Sequence, residues 1–434
     1  MKLSRAALFG YSMLALPLAM AALPIYVHVP KYYASALGAP LAWVGLILFA
    51  ARLFDAIQDP LLGYLSDRAA AGRAGRFVLI LFGVPILAAG FVALFQPPVS
   101  GAAAVSWWLA GSLVVVYLGF SAASVSYLAI GAELSTDYHE RTRITAARAA
   151  LGIFGVLLAA TLPEVLSQHA GEIAGVVQFS LIFVPVLLLC SILTWRLTPR
   201  YVPLHAHVHR SWSGMFAPLR HLEFRWLLAV IIPSGIAGAI PATLILFFVE
   251  DVIGTPRLSG VFLVAYFLAG ALSMPGWVAL SRRMGKKNAW LLGMLMAVAA
   301  FVWAFALGAD DVVPFAIVCV MSGVAYGAEL ALPPSILADL VDDSAGEHKA
   351  NGAYFGLWQM IEKLNLAAAA GIALPLVAIL GYEPGASGGN TLALSTTYAL
   401  LPCAIKLIGA AILWTAPVDR RADQPRAFVT EGEM

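Results

Sequence analysis

APLAWVGLILFAARLFDAIQDPLLGYLSD, residues 39–67, is long and apolar enough to cross a membrane, yet it carries two aspartates, Asp55 and Asp59, at bilayer depth. A spanning helix needs about 20 predominantly apolar residues. A carboxylate near its middle costs roughly 2.5–3.5 kcal/mol on insertion scales. Spaced four residues apart, the two acids share one helix face, one turn above the other, and Arg52 shares that face three residues before Asp55. Such a cluster does not face lipid. It is expected to line a cavity and to bind something positive, a proton or a small cation.

The rest of the chain agrees with a membrane setting. Of 434 residues, 61% are hydrophobic and 12% charged, about half the ~25% charged fraction of soluble domains. About twelve apolar segments are long enough to span, so the expected fold is an all-α polytopic membrane protein. A net charge of +2 gives no basic surface for nucleic acid. Cys190, Cys319 and Cys403 fall in apolar segments without metal or disulfide spacing and are expected to pack in the core. His205, His207 and His209 alternate in a polar linker; with no cysteine or acid to complete a site, no bound metal is expected. Met1–Arg5 and the apolar run behind it read as a retained first helix rather than a cleaved signal.

Basic residues gather on one side. Lys2 and Arg5, then Arg68, Arg73 and Arg76, then Arg141 and Arg143, Arg200 and Arg210, Arg282 to Lys287, Lys349 and Arg420 to Arg426 fall on alternate loops, and the opposite loops hold only Lys31 and Arg257. Cytoplasmic loops carry such an excess, so both termini are expected in the cytoplasm.

The longest polar interruption, Thr198 to Leu222, divides the chain. The expected organisation is a six-helix bundle over 1–198, a cytoplasmic loop over 199–221, a second six-helix bundle over 222–417 and a cytoplasmic tail over 418–434. The halves echo one another weakly. Gly63 to Asp67-Arg68, with Arg73, follows the second span, and Gly276 to Arg282-Arg283 follows the eighth; Glu133 to Arg141, with Asp137 and Glu140, follows the fourth, and Asp339 to Asp343 follows the tenth. Paired halves of this kind mark the major facilitator architecture, with substrate and ion sites near the midplane. The carboxylate–arginine motifs are expected to latch a gate, with Gly63 allowing close helix approach before Asp67 and Arg68.

Phe54-Asp-Ala-Ile-Gln-Asp59-Pro60, Tyr127 to Arg143 (YLAIGAELSTDYHERTR), Leu337-Ala-Asp-Leu-Val-Asp342 and Tyr354-Phe-Gly-Leu-Trp-Gln359 leading to Lys363 follow in order through both halves. Together they resemble the glycoside–pentoside–hexuronide:cation symporters, the melibiose-carrier-like family of the major facilitator superfamily. The resemblance implies that Asp55 and Asp59 bind the coupling Na⁺, Li⁺ or H⁺, with Lys363 close by to compete with or stabilise that charge, and that Arg148 lines the substrate cavity. Tyr26, Tyr127, Trp358 and Gln359 are candidate cavity residues, and Ser121 and Ser124 candidate further oxygen ligands for sodium. Glu329, a further intramembrane acid, reads substrate, relays protons or pairs with Lys406.

The chain also departs from that family's sugar carriers, which grip hydroxyls with acids in the first and fourth helices. Here the first helix has no acid and the fourth offers Ser121, Ser124 and Ser126, so a galactoside is not expected. The leading expectation is a symporter of a small, glycoside-like organic solute working by alternating access. A carrier of a lysolipid or other amphipathic solute on the same fold, or an uncoupled facilitator, is the alternative. No hydrolase, zinc-protease or P-loop motif appears, so neither an enzyme nor an ATP-driven pump is expected, and no cofactor beyond the coupling ion. The resemblance also implies a monomer in a bacterial inner membrane.

Overall fold

The computed structural model describes residues 3–70, 76–135, 138–199, 217–344, 351–385 and 390–417. Among these, twelve helices are long and apolar enough to span a membrane and no strand occurs. They are α1 (Arg5–Ala36), α2 (Leu41–Ala70), α3 (Phe77–Phe95), α4 (Ala102–Glu133), α5 (Tyr138–Ala170) and α6 (Glu172–Leu197). The second set is α7 (Leu222–Ile253), α8 (Ser259–Met284), α9 (Lys286–Ala306), α10 (Val312–Ser344), α11 (Asn351–Ile379) and α12 (Thr391–Thr415). Large apolar side chains such as Trp43, Leu81, Phe82, Trp107, Leu272 and Trp414 stand on the outside. In water such a surface would aggregate; against lipid it is the right solvent boundary.

Helix pairing repeats with an offset of six. α1 packs on α5 and α6 as α7 packs on α11 and α12, α4 packs on α2 and α3 as α10 packs on α8 and α9, and α3 meets α6 as α9 meets α12. Between the two sets the main contacts are α2 with α11 and α5 with α8. The same six-helix offset converts one of these pairs into the other, so the seam is itself two-fold.

The contacts of this seam cluster at the ends of the helices remote from the chain termini, here the far side. On α2 a side chain added at Gly45 would lie 2.8 Å from the carbonyl oxygen of Ala370 on α11, and one at Gly371 would lie 3.0 Å from Phe49. Glycine therefore lets the two backbones touch. Gly260 of α8 makes a similar approach to Ala160 of α5, at 3.0 Å, and Gln168 donates to the carbonyl of Arg257 at 3.2 Å. Lys31 at the end of α1 pairs with Glu250 at the end of α7, 2.7 Å apart.

Both of those helices finish in a π-helical turn, Tyr32–Ala36 and Val249–Ile253. Tyr32 and Tyr33 of the first turn donate to the carbonyls of Phe95 and Leu94 at the end of α3. α1 is also interrupted at Leu14, three residues before Pro17. A proline ring crowds the carbonyl four residues earlier and offers no N–H to it, which accounts for the break.

Candidate functional site

Half-way along α2, about 15 Å below the Gly45 contact at 1.5 Å per residue, the acidic face meets α4 and α11. Asp55 is fully buried and its two oxygens are saturated. Oδ1 accepts from Ser121 of α4 at 2.6 Å and from Gln58 at 3.3 Å. Oδ2 accepts from Arg52 at 3.2 Å and lies 3.0 Å from the Lys363 ammonium of α11. Lys363 donates to Asp59 Oδ2 at 2.6 Å and to Ser121 Oγ at 3.3 Å, so its three N–H groups are all engaged. Arg52 stacks over the Tyr117 ring, 4.7 Å from its centroid.

Two cations and two carboxylates thus form one cluster, with Asp55 and Asp59 on one half of the molecule and Lys363 on the other. The Asp59 side chain is 24% exposed against 0% for Asp55, so the cluster is reached past Asp59. Two of its buried oxygens, Asp59 Oδ1 and Gln58 Oε1, have no hydrogen-bond partner among the described residues. A buried acceptor left unsatisfied costs about 1–3 kcal/mol, so both oxygens retain unused acceptor capacity in this state.

A second charged pair sits at similar depth inside the other half. Lys406 of α12 lies 2.6 Å from Glu329 Oε1 of α10, and Ser234 of α7 donates to the same oxygen at 2.7 Å. Of the three readings open for Glu329, pairing with Lys406 is the one present in this state. The pair borders a cavity with an empty volume of about 850 Å³, which includes space open to solvent. Its wall is otherwise mostly apolar and aromatic, with Tyr266 and Tyr326 stacked at 5.2 Å. Tyr26 of α1 stands between the two regions, within electrostatic reach of Arg52 on one side and of Tyr266 and Tyr326 on the other.

The remaining sequence candidates distribute unevenly. No hydrogen bond from Ser124 to either aspartate occurs among the described residues, unlike its neighbour Ser121. Tyr127 is buried and stacked on Tyr11, centroids 4.7 Å apart, and half-buried Arg148 lies within electrostatic reach of both. Trp358 is packed in the core beside Tyr354 and Phe224 and donates to Glu362 at 2.7 Å; Gln359 is exposed.

Among the gate residues, Asp339 pairs with Lys286 at 2.5 Å. Glu140 holds the start of the chain, accepting from the Leu3 N–H and from Arg143, each at 3.0 Å. The close approach expected at Gly63 is absent in this state, because a side chain there would meet no described atom within 4 Å. Arg73, Asp137 and the 205–209 histidines lie outside the described residues, as do the side chains of Asp67, Arg68, Arg141 and Asp343. Arg52 is where its place on the acids' face implied, whereas no role was expected for Gln58 or Tyr117. The four-residue step from Tyr117 to Ser121 was the available signal.

The profile of the family described as MFS/sugar transport protein matches residues 8–420. The chain belongs to that family. The symporter resemblance carried by the helix motifs is thereby borne out, and the chain is an integral, multi-pass membrane transporter of the major facilitator type. Among its relatives, the sodium-dependent lysophosphatidylcholine symporter 1 of Xenopus tropicalis is 22% identical, over 90% of this chain and 81% of that one. The glucuronide carrier protein homolog of Escherichia coli (strain K12) is 23% identical, over 89% and 87%. Two solved structures share the fold. A bacterial homolog of the human lysosomal transporter Spinster, inward-facing and unoccupied, has a TM-score of 0.71 at 16% identity, over 94% of this chain and 96% of that one. The nucleoside transporter NupG has 0.70 at 13%, over 95% and 100%.

Proposed function

We propose that Asp55 and Asp59 hold the coupling cation of this symporter and that Lys363 stands in for that cation while the site is empty. The observation that carries this is the lysine ammonium with every donor spent on Asp55, Asp59 and Ser121. Counting Arg52, Lys363, Asp55 and Asp59 as ionised, the cluster is neutral. An added cation would make it positive at a depth where charge is expensive, so its entry displaces the ammonium. Sodium fits better than a proton: it takes several oxygen ligands, and the unpartnered Asp59 Oδ1 and Gln58 Oε1 would join Asp55 and Ser121 in supplying them.

Displacing Lys363 also removes a tie between the halves just below their closed far-side seam. The basic-residue asymmetry puts the termini in the cytoplasm, so the far side faces outward and this state is inward-facing. The protein acts as a monomer in a bacterial inner membrane, and the carboxylate–basic motifs at Asp67, Arg68, Arg73, Asp137, Arg141, Asp339 and Asp343 serve the opposite gate. The relatives carry solutes of two kinds. The acid-free α1 and the largely apolar cavity favour an amphipathic solute over a glycoside.

The test is solute uptake into proteoliposomes under an imposed sodium or proton gradient, wild type against Asp59→Asn. Uptake driven by sodium and lost in the variant supports the reading; uptake that survives Asp59→Asn undiminished overturns it.

A further inference from the structure

We propose that Glu329 and Lys406 form a head-group site for a zwitterionic, single-chain amphipath whose apolar tail lies along the Tyr266–Tyr326 wall. This rests on the transport reading above and specifies its solute. A carboxylate and an ammonium at 2.6 Å in an otherwise apolar cavity form a complementary pair that a ligand can open only by offering the opposite charge to each member. A ligand bearing one charge satisfies one member and strands the other, which costs more than the contact returns. A neutral polyol has no means of separating them.

Space and unused valence are both present. Glu329 Oε1 carries the lysine and Ser234, while Oε2 makes no hydrogen bond among the described residues. Gly238 opposite keeps the adjoining space open, the nearest atom to a side chain placed there being Oε2 itself at 3.9 Å. The tail would meet Leu263, Phe267, Ala237 and Tyr398 along with the tyrosine stack. Unlike the Asp55 cluster, all the charged groups here belong to one half, so opening this pair breaks no ion pair between the halves. It reports on the solute and not on the coupling ion.

The experiment uses four probes with the same twelve-carbon chain on the full-length protein in nanodiscs, each below its micellar concentration. They are dodecylphosphocholine, dodecyltrimethylammonium, dodecyl phosphate and dodecyl maltoside. Wild type is expected to bind the phosphocholine about tenfold more tightly than the others, the scale of one charged hydrogen bond. Glu329→Gln is expected to shift preference to dodecyl phosphate, and Lys406→Gln to dodecyltrimethylammonium. A misfolded variant loses all four probes together and cannot produce this crossed pattern. Wild type binding the maltoside as well as the phosphocholine, or two variants that leave the order of preference unchanged, would overturn the proposal. Asp59→Asn separates the two readings: it should keep the phosphocholine preference while losing sodium-driven uptake.

Discussion

Two acid–lysine pairs occupy the middle of this transporter, and they differ in what they are fastened to. Lys363 reaches from α11 across the seam to Asp55 and Asp59 on α2. Lys406 reaches Glu329 within a single bundle. Both face the same desolvation problem, and each solves it by neutralising charge locally. Breaking the first changes how the halves are held, whereas breaking the second changes only the chemistry of one wall. An ion pair at membrane depth is therefore interpretable only with its helix connectivity in view.

The sharpest way to break the comparison is Asp55→Ala. It leaves Arg52 and Lys363 buried without their shared carboxylate, and removal of one partner from such a cluster costs about 3–5 kcal/mol. Thermal unfolding in detergent should show a large drop, with sodium-driven uptake lost. Next comes Gly45→Val. Its side chain would press on the Ala370 carbonyl, overpacking worth about 1–3 kcal/mol, and should bias the protein away from far-side closure. Labelling of a cysteine placed at Phe49 should rise; unchanged labelling would mean that α2 and α11 need not touch there.

Exchanging charges sharpens it further. With Glu329→Lys and Lys406→Glu combined, the intra-bundle pair is kept, and the double variant should be more stable than either single change, the mark of two coupled neighbours. The same exchange of Asp59 and Lys363 should preserve the tie between halves while destroying sodium-driven uptake. The smallest expected effect is Lys31→Ala. Its pairing with Glu250 is partly exposed at the far-side ends, and such pairs are worth about 0.2–1 kcal/mol. The readout is the same labelling assay, with a shift of about fivefold or less.

The spans were legible because apolar runs of membrane length have few other readings, and the acids of α2 because a charge in such a run demands an explanation. Ser121 and Ser124 looked equivalent in sequence, since both offer hydroxyls on α4. Which one meets Asp55 depends on the rotation of α4 against α2, and a single sequence does not encode that visibly. Glu329 and Lys406 stand 77 positions apart, so their meeting waits on the packing of α10 against α12 through α7. Gly63 shows the converse. Its motif implied a close approach, but a gate motif describes a contact that exists in one state, and the halves here are joined at the other end.

The neutrality of the Asp55 cluster has an electrical consequence. With Lys363 in place the empty carrier turns over without moving net charge at that site through the membrane field. On the proposed mechanism, sodium takes the ammonium's place in the cluster, and the displaced Lys363 leaves the loaded carrier one charge more positive. A potential of 100 mV acts on one charge with about 2.3 kcal/mol, so voltage should drive the loaded step of the cycle and leave the empty return indifferent to it.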